Sequence, residues 1–198
     1  MQLKPGKLFL LSAPSGAGKT SLLEQAVERV GSEFNLERVV TYTSRKLLAA
    51  EQQGIHYHFL TEEEFLSKLR EDFFVEHSTA YGRYYGFPKE VLAQVLSGRN
   101  YIGIVDMAGA ASIKAAFDEA ILIGIRPSNA AILERRLAHR GRETQKEIGF
   151  RLKLAYDELQ VMTNGLFRYV VMNDDFDAAL NRLITIIRQE ISSVEDAR

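Results

Sequence analysis

The chain has 198 residues, enough for one domain with attached lobes. Its formal net charge is −1, so no global field draws it to nucleic acid or a membrane surface, and the absence of cysteine excludes disulfides, thiolate metal sites and thiol nucleophiles. A hydrophobic fraction of 46% and a charged fraction of 26% are those of an ordinary globular chain, and the lack of cysteine fits a reducing, cytoplasmic setting.

In chain order, the first apolar run is "LFLL" (8–11). It ends too soon for a leader peptide and reads as a buried strand. After Lys19, apolar residues fall at Leu22, Leu23, Ala26, Val27 and Val30, which predicts an amphipathic helix. "ERVVTYT" (37–43) is a candidate strand. "GIHYHFL" (54–60) alternates like a half-exposed strand, and Thr61 with Glu64 forms a capping-box pattern at a helix start. The aromatic stretch 73–87, punctuated by Gly82 and Gly86, predicts an antiparallel hairpin. "YIGIVD" (101–106), "ILIGI" (121–125) and "YVVM" (169–172) read as further buried strands, and Leu180, Leu183, Ile184, Ile187 and Ile191 form one helical stripe. Strands that are apolar on both faces, separated by helices, predict an α/β fold with a parallel sheet covered by helices. No apolar run approaches the ~18 residues of a spanning helix.

"SAPSGAGKT" (12–20) lies between the first strand and the first helix, the context a phosphate-binding loop requires. Gly16 and Gly18 let the backbone turn tightly and approach a ligand. The loop N–H groups then converge at the positive end of the helix. Lys19 can reach the β- and γ-phosphates of a nucleoside triphosphate, and the Thr20 hydroxyl can meet Mg²⁺. The strict pattern opens on Gly where this chain has Ala13.

Further segments resemble the guanylate kinase family in order along nearly the whole chain. They are "LLSAPSGAGKTSLL", "TYTSR" (41–45), "GIHYHF" (54–59), "FVEHSTAYGRYYG" (74–86), "VDMAGA" (105–110), the arginine-rich run 135–152 and "VMNDD" (171–175). The resemblance implies ATP-dependent phosphorylation of GMP, with ATP and Mg²⁺ as co-substrate and cofactor. It implies a phosphate-loop core (1–41 and 99–198) that includes a helical lid at about 136–151. An inserted mixed α/β lobe at 42–98 would bind GMP. The expected partners are small nucleotides, with no nucleic acid or membrane, and the oligomeric state stays open.

By the same resemblance, Ala13, Pro14, Ser15, Gly16, Ala17, Gly18, Lys19 and Thr20 hold the triphosphate, and Asn173 lies near the adenine. Thr41, Arg45, Tyr57 and Tyr85 contact the GMP phosphate. Glu76 and Asp106 read guanine, whose N1–H and 2-amino group are neighbouring donors that a carboxylate can accept. Lys19, Arg136, Arg140 and Arg151 stabilise the transferring group. Bland readings stand beside these. Glu76 can be a solvated strand carboxylate, Asp106 a helix cap, the tyrosines lobe core, and the arginines a solvated helix face.

The chain also departs from the family. Leu48 replaces a second phosphate-gripping arginine, leaving Lys46 as a neighbouring charge. Phe87 replaces a hydroxyl residue that contacts guanine. Ile104 replaces an acid near Mg²⁺, Ala108 a glutamine, and Arg142 a threonine of the lid. Two alternatives follow: a related kinase with a changed acceptor, or a nucleotide- or protein-binding module without activity.

Overall fold

The elements of the computed structural model, which describes residues 4–80, 82–139, 145–162 and 165–192, begin with β1 (Leu8–Ser12), α1 (Lys19–Phe34), β2 (Leu36–Arg38), β3 (Tyr42–Thr43) and β4 (His58–Phe59). Next come α2 (Glu62–Arg70), β5 (Phe74–Ala80), β6 (Arg83–Pro88), α3 (Glu90–Leu96), β7 (Asn100–Ile104) and α4 (Met107–Ala116). The chain continues through β8 (Ile121–Arg126), α5 (Ala130–His139), α6 (Gln145–Val161), β9 (Tyr169–Met172) and α7 (Phe176–Ser192).

Five strands pair in parallel in the order β2-β7-β1-β8-β9. The central strand β1 is buried at every position, because helices cover a parallel sheet on both faces. α1 buries Leu22, Leu23, Ala26 and Val30, and α7 buries Leu180, Leu183, Ile184 and Ile187, which are the stripes the spacing predicts. These two helices pack against each other, while α3 contacts β7 and α4 contacts β1. Among the described residues, no helix is long and apolar enough to cross a membrane.

The register sets the location of the site. Leu11 stands beside Ile104, and the Val105 amide donates to the Leu11 carbonyl at 3.1 Å. Ser12 pairs with Gly124, Arg126 with Met172, and the Asn173 amide donates to the Arg126 carbonyl at 2.8 Å. The loop after β1, Asp106 after β7 and Asn173 after β9 therefore leave the sheet along one rim, where open α/β sheets bind ligands.

A second sheet has the order β4-β3-β6-β5, with an antiparallel β5–β6 hairpin as the sequence suggests. Phe65 of α2 is fully buried and stacks on Phe74 at 4.7 Å and on Tyr84 at 5.3 Å. Phe65 and Phe74 lie outside the main apolar cluster, whereas Phe87 belongs to it. The candidate strand 37–43 divides between the sheets. Leu36–Arg38 joins the parallel sheet, the Val39 amide still donates to Ile102, and Tyr42–Thr43 joins the second sheet. The alternating stretch 54–60 supplies only the two residues of β4.

Thr61 caps α2 with a complete capping box: its hydroxyl accepts from the Glu64 amide, and the Glu64 carboxylate accepts from the Thr61 amide. Thr61→Ala is expected to cost about 1 kcal/mol, read as a lower urea midpoint with unchanged slope.

Candidate active site

Gly16 (φ 88°) and Gly18 (φ 90°) take the left-handed conformation in the loop that follows β1. Gly18 is the N-cap of α1 and offers no side-chain cap, so the first-turn N–H groups are available to an anion. A Cβ at Gly18 would lie 2.4 Å from Asn173 Nδ2, which leaves room only for glycine. Lys19 Nζ bends back onto the loop, donating to the Ala13 carbonyl and, at 3.2 Å, to that of Pro14. Thr20 is exposed in the first turn of α1.

Two cavities flank this loop. One, of about 720 Å³, is lined by Gly16, Gly18, Ser21, Ile132, Arg135, Arg136, Asn173, Asp174 and Phe176. Asn173, only 2% exposed, donates from Nδ2 to the Ala17 carbonyl at 2.7 Å. That bond fixes the amide, and its Oδ1 is buried with no hydrogen-bond partner. An orphaned buried acceptor of this kind marks a place where a ligand donor fits. Arg136 donates to the Asp174 carbonyl at 3.3 Å, and the Asp174 carboxylate accepts from the Ser128 amide at 2.8 Å. The α7 cap belongs to Asp175, whose Oδ1 accepts from the Ala178 amide. Asn173 thus braces the phosphate loop, while Asp175 caps α7.

The second cavity, of about 650 Å³, lies on the other side of the loop. Ala13, Ser15 and Lys19 reach it from the loop, and Thr41, Arg45 and Tyr57 from the segments that flank β3 and β4. The hairpin contributes Glu76, Ser78 and Ala80 from β5, at alternate positions, and Arg83, Tyr85 and Phe87 from β6, with the Gly86 backbone between the last two. Asp106 accepts from the Gly109 amide at Oδ1 (2.7 Å), capping α4, and from the Ser78 hydroxyl at Oδ2 (2.8 Å). The capping reading and the cleft reading of Asp106 therefore hold together. Glu76 is 8% exposed, so it is not a solvated strand carboxylate. Burial first, and the charge of Asp106 second, push its pKa up to about 7. A Cβ at Gly109 would lie 3.0 Å from the Glu76 carboxyl, so the α4 backbone closes over it.

Arg45 forms a two-pronged ion pair with Glu51, at 2.9 and 2.7 Å, and its guanidinium lies 5.4 Å from the ring centroids of both Tyr57 and Phe59. Burial alone would raise the Glu51 pKa, but its bonds from Arg45 and the Leu48 amide outweigh this and lower it. Tyr57 and Tyr85 meet edge-on at 6.2 Å, and burial raises the Tyr57 phenol. Leu48 and Ile104 both line this cleft, whereas Lys46 is not among the residues that do. Fully buried Phe87 offers its ring where a hydroxyl was expected.

Among the described residues, the arginines of 135–152 divide between the cavities, Arg135 and Arg136 in the first and Arg151 in the second. Arg151 lies in the second and donates to the Ser15 hydroxyl at 2.9 Å, tying α6 to the loop. Arg140 falls outside the described residues. Arg151, Leu154 and Glu158 line the cleft at helical spacing, one face of α6. Burial raises Glu158 above the usual carboxylate range, with Lys19 opposing the shift and Asp106 adding to it. Ser78, Arg83 and Glu158 had no motif to announce them. Periodicity would have found them, two residues from Glu76, two from Tyr85 and seven from Arg151.

A parallel sheet, a glycine-rich loop at its rim and two cavities meeting on that loop define a nucleoside monophosphate kinase. More particularly, the chain belongs to the guanylate kinase family, whose model matches residues 5–190. It is 38% identical over 191 residues to the guanylate kinase of Nitrosospira multiformis, covering 96% of this chain and 89% of that protein. It is 37% identical over 193 residues to that of Caldanaerobacter subterraneus subsp. tengcongensis, covering 97% and 91%. The crystal structure of guanylate kinase from Anaplasma phagocytophilum superposes with a TM-score of 0.76 at 27% identity, covering 96% of this chain and 89% of that one.

Proposed function

We propose that this chain transfers the γ-phosphoryl group of ATP to GMP, giving ADP and GDP. The observation that carries the reading is the pair of cavities, about 720 and 650 Å³, meeting on one phosphate loop with the Glu76–Asp106 carboxylates in the second. Guanine presents two adjacent donors. Glu76 faces the cleft with acceptors to spare, and each Asp106 oxygen, having taken one bond, keeps a lone pair. Adenine lacks that donor pair. On the donor side, the orphaned Asn173 Oδ1 suits the amino group of adenine, whereas the guanine carbonyl would repel it.

In this reading the backbone of 13–20 cradles the triphosphate. Lys19 leaves the Ala13 and Pro14 carbonyls for the β- and γ-phosphates, and Arg136, Arg140 and Arg151 offset charge on the transferring oxygens. Thr41, Arg45, Tyr57 and Tyr85 receive the acceptor phosphate. Residues 42–98 form the acceptor lobe, and about 136–151 the lid. In this reading the ion is carried by the phosphate oxygens and met by the Thr20 hydroxyl. Mg²⁺ bound there would neutralise charge on the phosphates.

A panel of nucleoside monophosphates, assayed with ATP and Mg²⁺, tests the proposal. GMP is expected to exceed AMP by about 10²-fold or more in kcat/KM, because AMP leaves buried carboxylate acceptors unmet. Equal turnover across the panel, or none, removes it.

A further inference from the structure

Arg83 is a charged group that the proposed reaction leaves unused. It opens β6 across from Ala80, and its side chain lines the acceptor cleft with Tyr85 two residues on. Among the described residues, its guanidinium makes no hydrogen bond and no ion pair. β3 pairs antiparallel with β6, Thr43 opposite Tyr85, and the Ser44 amide donates to the Tyr84 carbonyl at 3.0 Å. Arg45 lies two residues past the end of β3, and its side chain and that of Arg83 both line the cleft.

The two cations are not equivalent. Glu51 already matches the charge of Arg45 through hydrogen bonds of 2.7 and 2.9 Å. A phosphate monoester carries between one and two negative charges at neutral pH, as a phosphorylated side chain does; with Lys19 and Arg151 of the same cleft assigned to the transferring group, the Arg45–Glu51 pair leaves the acceptor phosphate without a net counter-charge. Leu48 lines the same cleft and is apolar, and Lys46 does not reach it. Arginine suits the vacancy, since its fork can grip two phosphate oxygens at once.

We infer that Arg83, which lines the same cleft as the Glu51-paired Arg45, is the cation that receives the 5′-phosphate of the acceptor nucleotide. The inference rests on the reading of this chain as a GMP kinase and adds to it a phosphate contact supplied by the hairpin tip. Arg83 is exposed and braces nothing, so its removal acts on the ligand rather than on the fold.

The test compares Arg83→Ala and Arg83→Lys with the unchanged protein, varying GMP and ATP separately and using guanosine, which lacks the phosphate, as a competitor. Arg83→Ala is expected to raise the KM for GMP about 10-fold, the lower end for a charge-assisted hydrogen bond, and Arg83→Lys to recover part of it. The KM for ATP, the inhibition constant of guanosine and the melting temperature stay unchanged. A KM for GMP within about twofold of the unchanged protein, or an equal loss for ATP or guanosine, overturns the inference. If the unchanged protein itself fails to phosphorylate GMP, the underlying reading falls, and this inference falls with it. The two failures are told apart by that control.

Discussion

Replacing Lys19 with alanine is expected to lower kcat/KM about 10³-fold while the protein stays folded. Electrostatic groups aimed at developing charge are worth about 10² to 10³ each, and Lys19 bonds two carbonyls of the loop that would hold the transferring phosphates. Its two bonds to loop carbonyls come from a charged group and are each worth about 1.5 kcal/mol or more, so a stability loss approaching the catalytic one, about 4 kcal/mol, must be measured separately. Steady-state rates with ATP and GMP, together with calorimetric ATP affinity, separate the effects. Activity within tenfold of the unchanged protein would remove Lys19 from the chemistry. A large loss in melting temperature would reassign it to the loop's architecture.

Glu76 carries the second large effect, and it has two faces. Guanine's donors need the carboxylate, and burial holds the Glu76 pKa at about 7. Turnover at low GMP should therefore rise as pH climbs through about 7 and level off above. Glu76→Gln presents an amide where two donors must be accepted, and kcat/KM for GMP should fall about 10³-fold with the pH step lost. Stability moves the other way. In the unfolded chain Glu76 ionises near 4.5, in the fold near 7. Between those values the folded state keeps a proton that the unfolded state has released, so stability falls as pH rises through this window and stays low above it. The full difference converts to about 3 kcal/mol. Urea titrations at pH 5 and pH 8 should show that drop in the unchanged protein and a smaller one in Glu76→Gln. A variant equally destabilised at both values would contradict the assignment.

The parallel sheet was legible because its strands are apolar on both faces, and the phosphate loop because Gly-Lys-Thr sits between a strand and a helix. The second sheet was less so. β3 and β4 have two residues each, too few for any period, and the passage from one sheet to the other at Val39–Val40 falls within a single β-rich run. In the site, Glu76 and Asp106 were found through their motifs and do face one cleft. The neutralisation of Arg45 was invisible, because it depends on how residues 46–50 fold back to bring Glu51 within 2.7 Å. The separation of Arg136 from Arg151 was equally hidden, since both belong to one basic run and only the packing of α5 and α6 assigns each to its side of the loop.

The aromatic stack of Phe65, Phe74 and Tyr84 bears on how such a protein changes over evolutionary time. It lies outside the main apolar cluster, to which Phe87, on the other face of β6, belongs. On the proposed function, mutational drift in the hairpin and its helix can reshape what is accepted while the sheet that would grip the donor keeps its packing. One ligand preference can thus be rewritten without renegotiating the other.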